Sequence, residues 1–127
     1  MIPKYRAWDK DFKTMYEADD IVYIDFEEKQ ICVKTLFFER TNCYDFNDIV
    51  LMHSTGFTDK NGKEIFEGDI VDSEGGFTTG VVEFRSDLGM FVSTLIKYNN
   101  FEQLCNAHGL VKVIGNIYEN PELLEVN

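Results

Sequence analysis

The sequence predicts a mainly β protein, β-rich α+β in class, with one short helix. Three observations predict it. Short runs of β-branched and aromatic residues, such as Ile21-Val22-Tyr23-Ile24-Asp25-Phe26, recur along the chain, and such side chains suit a pleated, half-buried surface. Turn signals separate them: Asp59-Lys60-Asn61-Gly62 and Glu67-Gly68-Asp69 mark two reversals within the stretch from Met52 to Ser73. Only one segment, ahead of Gly109, carries the start and stop chemistry of a helix.

Taken in order, Lys4 to Trp8 is a short aromatic strand bounded by Pro3 and by Asp9-Lys10-Asp11, and Lys13 to Tyr16 returns as a second. Ile21 to Phe26 follows, with Val22, Ile24 and Phe26 on one face by period-two alternation. Polar Glu27-Glu28-Lys29-Gln30 reverses the chain into Ile31 to Phe37, where Ile31, Val33, Thr35 and Phe37 share a face. These strands make an antiparallel meander. Phe38 to Asp48 is polar and is expected to be the connection between halves, so that residues 1–50 and 51–127 form two parts or one compact unit.

Ile49 to Met52 is a brief strand entering the stretch of reversals. There Asn61-Gly62 suits either the centre of a type I′ turn or a type I turn closed by a left-handed Gly62, and Ile65 and Phe66 are expected near Phe57. Ile70 to Ser73, Gly80 to Arg85 and Met90 to Ile96 are strands, with Glu74-Gly75-Gly76 and Ser86-Asp87-Leu88-Gly89 as their links. The expected helix starts at Asn99 or Asn100, puts Phe101, Leu104 and Cys105 on one face, and stops at Gly109. Leu110 to Tyr118 is the last strand region, Gly115 its bulge, and Glu122-Leu123-Leu124 a terminal turn. Closely spaced short strands that end on a glycine-marked corner suggest a small twisted barrel. Glu67-Gly68-Asp69-Ile70-Val71 followed by Gly80-Val81-Val82 looks like the opening of an SH3-like one.

Twelve Lys and Arg face 23 Asp and Glu, a formal charge of −11. A field of that sign repels phosphate backbones, so nucleic acid is an unlikely partner, and its ordinary role is solubility. An acidic mimic of nucleic acid is the alternative use. Cys32, Cys43 and Cys105 form an odd set without a regular framework, which points to a reducing compartment. The N-terminus lacks the apolar core of a signal peptide and no apolar run is long enough for a bilayer, so the expectation is cytoplasmic, with no membrane partner.

The chemistry-bearing patterns are sparse. Cys105-Asn106-Ala107-His108 could present two soft ligands or a nucleophile and base; a zinc site would need two more partners from His53, Cys32 and Cys43, which form no second closely spaced pair, and no orienting third group is identifiable. A calcium loop ending its turn at Gly62 would begin at Phe57, which cannot ligate the ion. The glycines at 75, 76 and 80 lack the Lys-Ser/Thr ending of a phosphate-binding loop. Glu17, Asp19, Asp20, Asp25, Glu27 and Glu28 form an acidic cluster whose ordinary reading is solvated turn carboxylates. No catalytic residue, metal ligand or cofactor is assigned. The interaction candidates are Tyr5, Trp8 and Phe77, although aromatics in a first strand most often belong to the core.

Three blocks resemble the YopX family: Tyr5-Arg6-Ala7-Trp8-Asp9; Thr55 to Val71; and Val113-Ile114-Gly115-Asn116-Ile117-Tyr118-Glu119-Asn120-Pro121. In order they span nearly the whole chain, and residues 38–48 and 97–109 match nothing in the pattern. The resemblance implies a β-rich protein encoded by bacteriophages and prophages of mainly Gram-positive bacteria, with no catalytic residues to transfer. The expectation is therefore a non-catalytic protein-interaction module that self-associates, its partner a host or phage protein. Two other classes compete with it. One is a nucleic-acid-associated barrel with a local basic face at Lys60, Lys63, Arg85 and Lys112; the other is a small enzyme built on Cys105 and His108.

Overall fold

The computed structural model describes residues 4–34, 40–73 and 78–125. Among the described residues it is mostly antiparallel strand, with one short α-helix, and the chain divides into two compact units, Met1–His53 and Ser54–Asn127.

The first unit contains β1 (Tyr5–Asp9), β2 (Thr14–Tyr16), β3 (Ile21–Asp25), β4 (Gln30–Lys34) and β5 (Thr41–Asp45), and the first half of β6 (Ile49–Thr58). Buried Asp9 makes the β1–β2 turn: its Oδ1 accepts the N–H groups of Asp11 and Phe12. A side chain that caps its own turn is the reason Asp suits that position. β1 also pairs with β6, Tyr5 opposite His53 and Trp8 opposite Val50. β3, β4 and β5 form the meander, packed around Ala7, Ile31, Val33 and Ile49.

Three expectations are corrected here. The polar stretch read as a connection contains β5, whose Thr41-Asn42-Cys43-Tyr44-Asp45 pairs residue for residue with β4. Propensity hides this strand, because what holds it is cross-strand contact rather than its own composition. β4 is also buried on both faces, with Ile31, Cys32 and Val33 all fully covered, so simple alternation undercounts its core positions. Cys32 and Cys43 lie opposite each other and are joined by a disulfide, leaving Cys105 as the free thiol. The odd count therefore resolves into one pair plus one, against the expectation of no framework. Thr35 and Phe37 lie outside the described residues.

In the second unit β6 continues to Thr58 and is ten residues long, well beyond the brief strand expected. It turns through residues 59–63 into β7 (Glu64–Phe66), and Gly68 then leads into β8 (Asp69–Asp72). β9 (Gly80–Arg85), β10 (Met90–Leu95), β11 (Phe101–Gln103) and β12 (Lys112–Asn116) complete a sheet ordered β11-β10-β9-β8-β12. Its final strand pairs with its first, which curls the meander into a half-barrel, the form the expected barrel takes. Ile65, Val71, Val82, Leu104 and Val111 fill it, with Phe57, Phe91 and Val113 packed alongside. Burying each such aliphatic side chain is worth roughly 1.5–3 kcal/mol, so these residues dominate the unit's stability.

The expected helix is much reduced. Phe101–Gln103 is strand, because Phe101 pairs with Thr94, and α1 is only Leu104–Ala107 before a 3-10 turn at His108–Leu110. Sheet pairing overrides a segment too short to hold a helix by itself. Leu104 and Ala107 are its buried positions, whereas Cys105 is exposed and Gly109 is not left-handed.

Both predicted reversals are present. Gly62 takes φ +84° and Asn61 does not enter the left-handed region, which selects the type I turn with a left-handed glycine over type I′. Gly115 sits at the register shift between β12 and β8, as a bulge. A Cβ there would stand 2.6 Å from Asn120 Oδ1, which accepts the Asn116 N–H. Gly115→Ala is expected to cost about 1–3 kcal/mol in urea denaturation, by overpacking and by loss of that hydrogen bond. Adding Asn120→Ala is expected to lower the penalty of the alanine without abolishing it, since Asn120 Cβ itself lies 3.0 Å away. Equal penalties in both backgrounds would show that the close approach is not the cause.

Candidate interaction surface

In the first unit the sheet register brings aromatic rings to one place. Tyr5 and His53 are cross-strand partners, with ring centroids 4.7 Å apart. Phe26, just past β3, stands 5.8 Å from Tyr5 and 5.8 Å edge-on to Phe46. Cross-strand pairing plus tilted ring contacts is a stable arrangement, since aromatic edges meet aromatic faces. Phe26 is nonetheless 57% exposed. Beside it a groove of about 300 Å³ is lined by Lys4, Tyr5, Ala18, Ile21, Ile24 and Phe26.

The six carboxylates of the acidic cluster belong to the segments that form this groove. Glu17, Asp19 and Asp20 flank Ala18 in a 3-10 turn, where Asp20 Oδ2 accepts the Glu17 N–H. Asp25 lies between Ile24 and Phe26, and its Oδ1 accepts the N–H groups of Glu27 and Glu28. That closes the turn and holds three carboxylates on it.

Of the sequence candidates, Tyr5 lines the groove, half-buried. Trp8 is 9% exposed and sits with the core. Phe77 lies outside the described residues. Phe26, Phe46 and His53 were not singled out from the sequence. The available signal was the alternation that places Ile24 and Phe26 on one face, and both do line the groove. Its exposure could not be read, because alternation locates a face without saying what covers it.

In the second unit Phe84 and Phe91 pack edge to face at 5.1 Å, and the Arg85 guanidinium lies 5.1 Å from the Phe101 ring. Arg85 is also hydrogen-bonded through Nε and Nη2 to both oxygens of Asp87, at 2.9 and 2.7 Å. These bonds hold the Asp87 carboxyl below its ordinary range and raise Arg85. Arg85 and the loop from Thr94 to Phe101 enclose an open cleft of about 610 Å³. Three of the four basic positions considered from the sequence stand beside a carboxylate: Arg85 binds Asp87, Lys112 is opposite Asp72 in the register, and Lys63 adjoins Asp59.

Cys105 and His108 engage different neighbours. Cys105 Sγ faces Gln103 Oε1 at 3.9 Å, whereas His108 stacks on Phe57 at 4.8 Å and its Nδ1 is 2.8 Å from the Thr58 carbonyl oxygen. Among the described residues no group of three or more His, Cys, Asp or Glu is placed to hold a metal ion. Burial and then the hydroxyl of Tyr44, 3.4 Å away, raise the Tyr16 phenol above its ordinary value and keep it protonated. Among the same residues no helix is long and apolar enough to cross a membrane.

The sequence model of one family, described as YopX protein, matches residues 4–125. No curated protein matches the chain. Two solved structures are similar over almost their full lengths. Protein EF1440 from Enterococcus faecalis shares 30% identity at a TM-score of 0.63, covering 98% of this chain and 99% of that one. Protein yopX from Bacillus subtilis shares 25% identity at 0.64, covering 100% and 99%.

Proposed function

From the premise that this chain belongs to the YopX family, we propose that it is a phage or prophage accessory protein acting by docking on another protein rather than by catalysis. The observation that carries the reading is the number of large apolar side chains standing in solvent. Phe12, Tyr23, Phe26, Phe84, Tyr98 and Leu110 are all exposed on a small, acidic, otherwise well-packed chain. Single exposed apolar groups are ordinary; several aromatic ones with edges available are what an interface core needs. Immobilised chain is expected to recover a specific protein from host lysate. Recovery of nothing by the unaltered chain overturns the reading.

Self-association is part of the same proposal. β11 ends the five-stranded sheet on one side, and a sheet-ending strand favours pairing between copies. Light scattering over a dilution series is expected to show a mass above 14.7 kDa that falls on dilution, more readily at low salt, where the −11 charge is least screened. A constant monomer mass removes this element. A cytoplasmic home is also proposed. The Cys32–Cys43 bond weighs against it, because the cytosol keeps thiols reduced, and the share of chain found in the cytoplasmic fraction of fractionated cells decides the matter.

A further inference from the structure

We infer that the Cys32–Cys43 bond is a redox latch on β5: a low-molecular-weight thiol exchanges with it at Cys43, and the reduced chain lets β5 open from β4 while the rest of the first unit stays folded. The latch stands apart from docking and rests on where the two sulfurs lie. Cys32 is fully buried and Cys43 is exposed. Exchange needs a thiolate to reach one sulfur, so attack falls on Cys43, and an accessible disulfide is the labile kind. Little apolar burial holds β5 otherwise. It ends the sheet ordered β3-β4-β5, and of its five residues all but Tyr44 are exposed. A strand that gives one side chain to the core can open without taking the core with it. Beyond it Phe46 packs against that core and donates its N–H to the Lys29 carbonyl oxygen at 3.0 Å, so the opening ends there.

In opening, the thiolate of the small thiol attacks Cys43 Sγ. A mixed disulfide forms there, the Cys32–Cys43 bond breaks, and its electron pair leaves on Cys32 Sγ, which takes up a proton. A second molecule of the thiol attacks the small-molecule sulfur of the mixed disulfide, and Cys43 leaves as a thiolate that is protonated in turn. Two electrons have then passed to the protein, and two small thiols have become one disulfide. Closure is the reverse, with the small-molecule disulfide as oxidant. The register that sets Cys32 opposite Cys43 keeps the two thiols within reach whenever β5 is paired. The latch therefore follows the ratio of thiol to disulfide around the chain. Open, it uncovers the edge of β4 that β5 pairs with, and it takes the Tyr44 hydroxyl from its place 3.4 Å from that of Tyr16.

The test is hydrogen exchange, read by mass spectrometry, on the full chain carrying Cys105→Ser, which removes the free thiol. After dithiothreitol, β5 is expected to exchange at least tenfold faster than in the oxidised chain and at least tenfold faster than β1. Its rate should depend little on urea, because a local opening exposes little surface. Cys32→Ala with Cys43→Ala should show the same pattern without reductant. Glutathione followed by an acid quench is expected to leave at least tenfold more adduct on Cys43 than on Cys32. Equal exchange of β5 with and without the bond overturns the inference, since the bond would then restrain nothing. So does exchange of β5 and β1 at one rate in the reduced chain, since the bond would then staple the whole unit. Adduct shared evenly between the two sulfurs, or a bond that glutathione leaves intact, removes the entry at Cys43 and the latch with it.

Discussion

Replacing Asp59 by Ala is expected to destabilise the second unit by about 2–4 kcal/mol, because one buried carboxylate holds three backbone N–H groups. Its Oδ1 accepts from Asn61 and Lys63, both at 2.9 Å, which shapes the turn between β6 and β7. Its Oδ2 accepts from Val113 at 2.9 Å, which ties that turn to β12 across 54 residues of sequence. Burial alone would push this carboxyl up; the bonds from Val113, Lys63 and Asn61, helped by the Lys63 charge, outweigh it and leave it below 3.8. The sign for stability follows. A lowered folded-state value means the contribution is complete above the unfolded-state value of about 3.8 and is lost as pH falls through the folded one. The gap between wild type and Asp59→Ala should accordingly be constant from neutral pH down to about 5 and close below about 4. Asp59→Asn keeps the shape but replaces one acceptor by a donor facing a donor, so it should cost nearly as much. A urea midpoint within experimental error of wild type for either variant would show that the three bonds are dispensable.

How much of this was legible depends on how local the signal is. The reversals at Gly62 and Gly68 and the bulge at Gly115 were readable, because a residue without Cβ at a turn or a close approach announces a backbone requirement. The role of Asp59 was not. Its partners at 61 and 63 follow from turn chemistry, but the one at 113 exists only after β12 has folded beside the turn. β5 and the loss of most of the expected helix have the same cause: each is decided by a strand far off in sequence, β4 for one and β10 for the other. The groove was half legible, since Ile24 and Phe26 were placed on one face, while Tyr5 and Ala18 join them only through β1 and the 3-10 turn. Cys32 and Cys43 were unreadable as a pair for a plainer reason. Three cysteines allow three pairings, and the choice among them needed the β4–β5 register.

That register supports the second large expectation. Cys32 and Cys43 are direct cross-strand neighbours whose bond spans 11 positions, so reducing it frees the unfolded chain of a loop constraint worth about 2–3 kcal/mol. Cys32 is fully buried, so Ser there would also bury a hydroxyl, and the cleaner comparison is Cys32→Ala with Cys43→Ala against reduced wild type. Both should lose the same stability in the first unit and little in the second, whereas Cys105→Ser, altering an exposed free thiol, should change neither. Thiol titration of the denatured, unreduced chain should find one reactive group and, after reductant, three. Three groups before reductant would mean that β4 and β5 are held together without the bond, by their ladder and by the contacts of Ile31, Val33 and Tyr44 alone.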